Sequence, residues 1–287
     1  MLKLNRPPFR MVADQPPGVT AEDIIAAFES IELASDKVTR VFVTLCGLLR
    51  QDADDPRCVA GRALAAAIDA GGDRSGSNAY HNPQHFCEAM LSAHFLCLLQ
   101  GLCAHDAQLV VLAALVHDFH HDGSVNGDVP FRLERIALHE AAPYLVNAGV
   151  SSANRRSLEA MVLATDVAHA LDFTARCHAH HSSGAPLPGV PALAPELAGL
   201  QRAPLMALQA LVLCQADLLP STGLTPQYAM RMQNRLAQEW GRPLLLEDKL
   251  SFLDQIDNAR VTCRFFAPNL RGIRQAISRV EIAGGLG

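Results

Sequence analysis

The apolar residues of this chain follow helical spacing throughout, and this pattern most limits what the chain can fold into. Half of the residues are hydrophobic, mostly Ala and Leu, whereas aromatic residues make up only 5% of the sequence. This mixture favours helices over sheets. No convincing alternation of apolar and polar residues, the pattern typical of strands, interrupts the helical segments. We therefore predict an all-α protein.

The order of the helical segments indicates a single domain. A chain of 287 residues is long enough to bury a large core. We find no repeat, no low-complexity block and no linker between two cores. We predict a loosely ordered leader over residues 1–19 and one all-helical domain over residues 20–287, whose first helix starts with Thr20 as its N-cap. The Pro-, Gly- and His-rich residues 177–198 predict a long loop.

Composition argues against several classes of protein. The net charge is −5 and no basic stripe is visible, which disfavours nucleic-acid binding. No apolar run has the length of a membrane span, and the N-terminus lacks the apolar segment of a secretory signal. The eight cysteines form no C-x-x-C pair, so we expect buried free thiols and a cytoplasmic protein. The oligomeric state stays open.

Three separated stretches carry metal-ligand residue types inside or beside apolar helices. His85 lies in "YHNPQHF", His117 and Asp118 follow an apolar run directly, and Asp217 lies late in the apolar "VLCQADLLP". A buried carboxylate without a partner is strongly unfavourable, so Asp217 needs a cation, a proton or a cap. If these four side chains converge on one metal ion, the ion explains the polar residues in all three stretches. Two imidazoles and two carboxylates suit Zn²⁺, Mn²⁺ or Fe²⁺.

Simpler interpretations exist for each feature taken alone. A lone His beside an apolar helix is usually a core or surface residue, and a lone Asp near a helix end is more often a cap or turn residue than a ligand. The tract with His178, His180 and His181 is typical of a mobile loop, and the alternative is a loop that closes over a pocket. We interpret Glu134 and Glu140 as solvated helix faces, either of which can also orient a ligand from behind.

Four motifs in order resemble one family. "YHNPQH", "HDFHHDGSVN", "LATD" and "ADLLPST" resemble the signature of class I 3′,5′-cyclic nucleotide phosphodiesterases, which belong to the wider HD-domain phosphohydrolases. The resemblance extends from about Asn78 to Phe266. It implies a compact multi-helix bundle of the kind found in the catalytic domains of these enzymes.

The resemblance also implies roles for individual residues. Metal ligation falls to His85, His117, Asp118 and Asp217, and catalysis to the general acid His81 and to His121. Substrate contacts fall to Tyr80, Asn126, Lys249 and Phe252. Two divalent metals are implied: Zn, Mn or Fe in a tight site, and Mg or Mn in a second site reached through a bridging carboxylate, Asp118. The expected reaction is hydrolysis of a cyclic nucleotide to its 5′-monophosphate by a hydroxide that bridges both metals.

Two departures from the family pattern leave the substrate open. The family has a purine-binding Gln three residues before the stacking aromatic, but here that residue is Lys249, which cannot provide an amide's paired donor and acceptor. Gln255 replaces it only if the register shifts. The family's His-His pair after Leu-Glu is absent, because Leu133-Glu134 is followed by Arg135-Ile136. Alternatives are therefore a phosphohydrolase acting on another nucleotide or phosphoester, and a non-catalytic sensor that binds a small molecule.

Overall fold

The computed structural model describes residues 17–259 and 266–284, and these residues form helices and no strands. The α-helices, numbered in chain order, are α1 Pro17–Glu29, α2 Lys37–Leu48, α3 Pro56–Asp69, α4 Pro83–Leu99, α5 Ala104–Val116, α6 Arg132–Asn147, α7 Ser152–Leu163, α8 Leu171–Ser183, α9 Ala198–Arg202, α10 Pro204–Thr222, α11 Pro226–Glu239, α12 Leu246–Asn258 and α13 Ala267–Gly284. The all-α prediction is confirmed.

Three helices, α4, α5 and α10, form the centre of the fold. Helix α4 packs against both α5 and α10, and α10 also packs against α5 and α8. Almost every residue of α4 and α5 is buried, including the whole apolar stretch Val110–Val116. Burying apolar side chains on all sides of a helix is typical of the core helix of a large bundle. The four predicted metal ligands lie on or directly after these three helices.

Contrary to the expectation that no apolar run has the length of a membrane span, helix α10 has the length and hydropathy of such a segment. Within the described residues it is the one helix that meets both criteria, and 78% of its most apolar window is buried inside the protein. The neighbours that cover it are α4, α5 and α8. Packing against protein on these sides accounts for its apolar composition.

The beginning of α4 shows how local sequence positions His81 and His85. Asn82 is the N-cap, and its side-chain oxygen accepts hydrogen bonds from the backbone N–H groups of Gln84 and His85. Pro83 occupies the first helical position, where the missing N–H has no cost. His81 therefore precedes the helix whereas His85 lies on its first turn. The two imidazoles still meet, with ring centroids 5.6 Å apart.

Several predicted boundaries are wrong. The first helix begins at Pro17 rather than after Thr20, and residues 1–16 of the predicted leader lie outside the described residues, as does Cys263. The predicted loop 177–198 is helical as far as Ser183, because Gly184 is the first residue able to end α8 at low cost, with φ of 71°. His178, His180 and His181 therefore lie on a helix rather than on a mobile loop. Two of these imidazoles bond backbone oxygens, His180 at Ala185 and His181 at Leu200.

The segment 152–173 has the sequence pattern of one helix but is broken between α7 and α8. Asp166 lies in the break, and its Oδ1 accepts hydrogen bonds from the backbone N–H groups of Ala168 and His169. A short acidic side chain that bonds nearby backbone offers the chain an alternative to the helix. The break points the Asp166 carboxylate at the backbone of Phe131.

Candidate metal centre and adjoining pocket

Four side chains from three helices converge at the centre of the bundle. His85 comes from α4, His117 and Asp118 directly follow α5, and Asp217 comes from α10. One ligand atom of each lies within 4.8 Å of the others. His85 Nε2 lies 3.1 Å from Asp118 Oδ2 and 3.2 Å from Asp217 Oδ1, and His117 Nε2 lies 3.1 Å and 3.5 Å from the same two oxygens. The structure thus brings together the four residues predicted as ligands.

The imidazole of His117 is oriented as a metal ligand requires. Its Nδ1 donates to the carbonyl oxygen of Ala114 at 2.8 Å, so Nε2 is left to point at the cluster with a free lone pair. Fixing the ligating tautomer through the other ring nitrogen is the usual arrangement for metal-bound histidine. The Nε2 atoms of His85 and His117 face each other at 3.3 Å. Two nitrogens and two carboxylate oxygens around one point fit a divalent metal ion.

The charges within the cluster fit a cation as well. Burial lowers the pKa of His85, but hydrogen bonds and charge from Asp118 and Asp217 outweigh it and raise this pKa to about 9. Burial raises the pKa of Asp118, but the charge and hydrogen bonds of the surrounding imidazoles outweigh it and hold this pKa well below its usual range. Asp118 and Asp217 are therefore both ionised, and their negative charges favour a positive charge between them. A divalent cation satisfies the same demand by replacing protons on the imidazoles.

A second group of side chains lies beside the cluster. His81 and His121 stack with ring centroids 3.7 Å apart, and His81 Nδ1 lies 2.5 Å from Glu239 Oε1. The other oxygen of Glu239 accepts the backbone N–H groups of Tyr80 and His81. Only 2% of the Glu239 side chain is exposed, against 18% for His81. Glu239 therefore fixes the position and tautomer of an imidazole that remains reachable.

His121 is held as a neutral donor. Burial, and then the charge of His81, lower its pKa to about 4. Its Nδ1 accepts the backbone N–H of Gly123 at 3.0 Å, which leaves the proton on Nε2. Gly123 adopts a φ of 77°, which a non-glycine residue rarely does. A neutral imidazole with an Nε2–H donor can stabilise a negatively charged oxygen without competing as an acid.

The structure gives Asn126 a role different from the predicted substrate contact. Its amide nitrogen donates to Glu134 Oε2 and Asp166 Oδ2, both at 2.9 Å, and its oxygen accepts the backbone N–H of Leu133. Both amide hydrogens are therefore used within the protein. Glu134 is likewise not a solvated helix residue: it is buried, and burial together with the nearby Asp166 raises its pKa to about 7. Asn126 holds two buried carboxyl groups and the loop before α6 in place.

The other three predicted substrate contacts line one cavity of about 270 Å³, together with His81 and Asp217. Its volume is close to the lower end of the range of roughly 300–1,000 Å³ that is usual for ligand pockets. The Tyr80 hydroxyl lies 3.0 Å from Ser221 Oγ, and the Phe252 ring lies 5.3 Å from Lys249 Nζ. The cavity joins the cluster to an apolar wall of Leu, Met, Phe and Trp side chains.

Sequence reasoning did not find Glu239, Asp166 or Ser221. Glu239 ends α11, an otherwise polar helix, and its surroundings in the sequence are those of an ordinary exposed helix end. Its partner His81 lies 158 positions earlier. The only signal for Asp166 was its place in "LATD", to which no role was assigned. Both carboxylates acquire their partners only in the tertiary structure.

Lys249 is a buried cation, and its removal is expected to stabilise the unliganded protein. Burial lowers its pKa from 10.5 to about 8, which corresponds to about 3 kcal/mol of destabilisation at pH 7. The hydrogen bond from Lys249 Nζ to the Ser221 carbonyl oxygen stabilises the folded state by about 1 kcal/mol, which offsets part of this cost. We expect Lys249→Met to raise the free energy of unfolding by about 2 kcal/mol at pH 7 in urea titrations.

The pH dependence of the stability gained by Lys249→Met tests whether the gain comes from removing a buried charge. Between about pH 8 and 10.5 the unfolded chain holds more protons at Lys249 than the folded chain does, so wild-type stability rises with pH. The advantage of Lys249→Met is therefore complete below pH 8 and disappears as pH rises through this window. Lys37→Met, at the first residue of α2, serves as the control. A gain that stays constant up to pH 10.5 contradicts the charge explanation.

Comparisons with known proteins agree with the fold. No protein-family model matches the sequence, and no curated protein matches it. Among solved structures, the chain is similar to the phosphodiesterase domain of the RhoPDE fusion protein from the choanoflagellate Salpingoeca rosetta, at a TM-score of 0.61 and 15% identity over 93% of each chain. It is similar to LmjPDEB1 in complex with IBMX at the same score and identity, over 93% of this chain and 92% of that one. A second structure of the S. rosetta rhodopsin phosphodiesterase domain gives a TM-score of 0.60 at 16% identity, over 93% of this chain and 91% of that one.

The comparisons establish the fold of this chain. This chain has the all-α fold of phosphodiesterase catalytic domains along almost its whole length. The resemblance inferred from four short motifs is thus confirmed at the level of the fold.

Proposed function

We propose that this protein is a metal-dependent phosphodiesterase that hydrolyses a 3′,5′-cyclic nucleotide to the 5′-monophosphate. One observation carries the proposal: the Asp217 carboxylate of the four-residue cluster, the imidazole of His81 paired with Glu239 and the ring of Phe252 line a single cavity. A nucleotide has the matching parts, a phosphate for the cations, a leaving oxygen for the acid and an aromatic base for the ring. The fold shared with phosphodiesterase domains supports the same reaction class.

The donor set defines where metals bind under this proposal. His85, His117, Asp118 and Asp217 hold the tight ion, for which Zn²⁺, Mn²⁺ or Fe²⁺ suits the nitrogen and oxygen donors. Asp118 would also contribute to holding a second ion, for which Mg²⁺ or Mn²⁺ is suited. A pair of divalent ions, when bound, supplies hydroxide near neutral pH and neutralises phosphate charge.

The side chains around the cluster carry the remaining steps. His81 protonates the leaving oxygen, because it is reachable from the cavity and its Nδ1 is paired with Glu239, which stabilises the protonated form. His121 donates from Nε2 to a phosphoryl oxygen as negative charge develops there. Phe252 stacks on the base, a contact worth roughly 1–3 kcal/mol for nucleic-acid bases.

The test is hydrolysis of cyclic AMP and cyclic GMP by the purified protein with Mn²⁺ or Mg²⁺, with products separated by chromatography. We expect 5′-monophosphates, loss of activity with a chelator, and recovery when Mn²⁺ is added back. Formation of 3′-monophosphates contradicts the assignment of His81, because a different oxygen then leaves.

Lys249 favours one alternative, a phosphohydrolase acting on another phosphoester. A cation in this pocket suits a second anionic group, in addition to the phosphate at the metal cluster. A cyclic nucleotide has no such second group. A panel of nucleoside mono- and triphosphates in the same assay separates the two functions: release of inorganic phosphate with cyclic nucleotides untouched supports the alternative. Metal and nucleotide binding without turnover on any member of the panel supports a non-catalytic sensor.

A further inference from the structure

Lys249 is buried in the pocket wall without a negatively charged partner. Only 6% of its surface is exposed, and no carboxylate lies within ion-pair distance of Nζ among the residues that the structure describes. Its hydrogen bond is to the carbonyl oxygen of Ser221, at 3.0 Å. An ammonium has three hydrogens. One of these hydrogens bonds the Ser221 carbonyl oxygen, so two remain for hydrogen bonds to a ligand.

The position of Lys249 places it beside the stacking residue. Lys249 and Phe252 are three residues apart on α12 and so share a helix face. Nζ lies 5.3 Å from the centre of the Phe252 ring. A base that stacks on this ring presents its edge to the ammonium, so Lys249 reads the hydrogen-bonding groups along that edge.

Two glutamines nearby do not replace it. Gln233 lines the cavity, but its amide nitrogen donates to the carbonyl oxygens of Leu244 and Leu245. Gln255 donates to the carbonyl oxygen of Val167 and lines a different groove. Both amide hydrogens of Gln233 are used, and Gln255 lies outside the cavity, so neither amide offers a ligand in the cavity a donor and an acceptor together. Gln233 contributes only its Oε1 as an acceptor, so the donor beside Phe252 is the ammonium of Lys249.

We propose that Lys249 makes this site selective for cyclic nucleotides whose base carries a carbonyl rather than an amino group at its edge, guanine over adenine. Guanine presents two adjacent acceptors, N7 and O6, whereas adenine places an amino donor beside N7. A lysine bonds the first arrangement and opposes the second. Uracil differs from cytosine in the same way. The inference rests on the proposed function, because it assumes a nucleotide stacked on Phe252.

The experiment compares kcat/KM for cyclic GMP, cyclic IMP and cyclic AMP. We expect the wild type to prefer cyclic GMP over cyclic AMP by about tenfold, the size of effect that one good two-acceptor contact provides. Cyclic IMP, which keeps the carbonyl but lacks the 2-amino group, is expected to behave like cyclic GMP. Cyclic IMP thus distinguishes recognition of the carbonyl group from recognition of the 2-amino group.

Three variants complete the test. Lys249→Gln restores a group that can pair with either base, so the preference is expected to fall to within about twofold. Lys249→Met keeps the length of the side chain but offers no donor, so turnover of cyclic GMP is expected to fall about tenfold relative to that of cyclic AMP. Lys37→Gln, which makes the same change at a lysine outside the pocket lining, is expected to keep the wild-type ratio.

Equal or better turnover of cyclic AMP by the wild type overturns the inference, as does a ratio that Lys249→Gln leaves unchanged. Absence of turnover on every cyclic nucleotide contradicts the proposed function instead. Selectivity is then judged by calorimetric binding of 5′-GMP and 5′-AMP. Tighter binding of 5′-GMP that is lost in Lys249→Met supports the inference, whereas equal binding or none overturns it.

Discussion

Replacing Asp118 by alanine is expected to lower phosphodiester hydrolysis by more than about a thousandfold and to remove bound metal at the same time. Asp118 Oδ2 lies 3.1 Å from the Nε2 atoms of both His85 and His117, closer to the pair of imidazoles than Asp217 Oδ1, which lies 3.2 Å and 3.5 Å from them. Without Asp118 three donors remain, and these should hold a cation less tightly. Both losses follow from one missing oxygen ligand.

Metal content and stability measure this effect without relying on turnover. Elemental analysis of the purified proteins should find the tight metal in the wild type and little in Asp118→Ala. Adding Zn²⁺ or Mn²⁺ to metal-stripped wild type should raise its melting temperature, because an ion that binds only the folded state stabilises that state. The variant should show a much smaller rise. Asp118→Asn keeps the shape of the side chain and checks that alanine has not simply disturbed the fold.

Asp122 provides a matched control four residues further along the same segment. Its carboxylate pairs with Arg132 at 2.7 Å and is not part of the cluster. Asp122→Ala removes the same charge from the same stretch but leaves the ligand set complete, so metal content should not change and activity should stay within about threefold. Wild-type metal content and wild-type rate in Asp118→Ala would contradict the assignment of the four-residue cluster as the metal site.

The residues whose convergence could be predicted from the sequence are those that conflict with their local surroundings. His85, His117, Asp118 and Asp217 are polar groups on or beside the most apolar helices of the chain, and such groups need a partner in the core. Convergence of three apolar helices then places their polar residues at one point. The helices themselves follow from apolar spacing, which does not depend on distant residues.

The features that the sequence missed depend on contacts far along the chain. Glu239 is an ordinary helix-end residue until the fold brings it against the backbone of Tyr80 and His81. Asn126 matches a motif position, yet its amide is used by Glu134 and Asp166, so its role is decided by tertiary neighbours. The carboxylate of Asp166 likewise accepts the backbone N–H of Phe131, a contact that no local pattern indicates.

Replacing His81 by alanine is expected to leave metal bound and to lower kcat on a cyclic nucleotide by about 10²–10⁴-fold, the usual contribution of a general acid. His81 lies outside the four-residue ligand cluster, in the separate group of His81, His121 and Glu239, so elemental analysis should find the tight metal at the wild-type level. The leaving group of a cyclic nucleotide is an alkoxide, which needs a proton as the bond breaks. A p-nitrophenyl phosphodiester has a good leaving group and needs none.

The comparison of the two substrates therefore separates an acid from a structural residue. His81→Ala should lose far less rate on the p-nitrophenyl ester than on the cyclic nucleotide, whereas a variant that merely disturbs the site should lose both alike. Glu239→Gln should fall between the wild type and His81→Ala, because it keeps the shape of the side chain but removes the charge that orients and stabilises the protonated imidazole. Glu247→Gln, at an exposed position on α12, is the matched control and should leave both rates unchanged. Equal losses on both substrates would show that His81 shapes the site without delivering a proton.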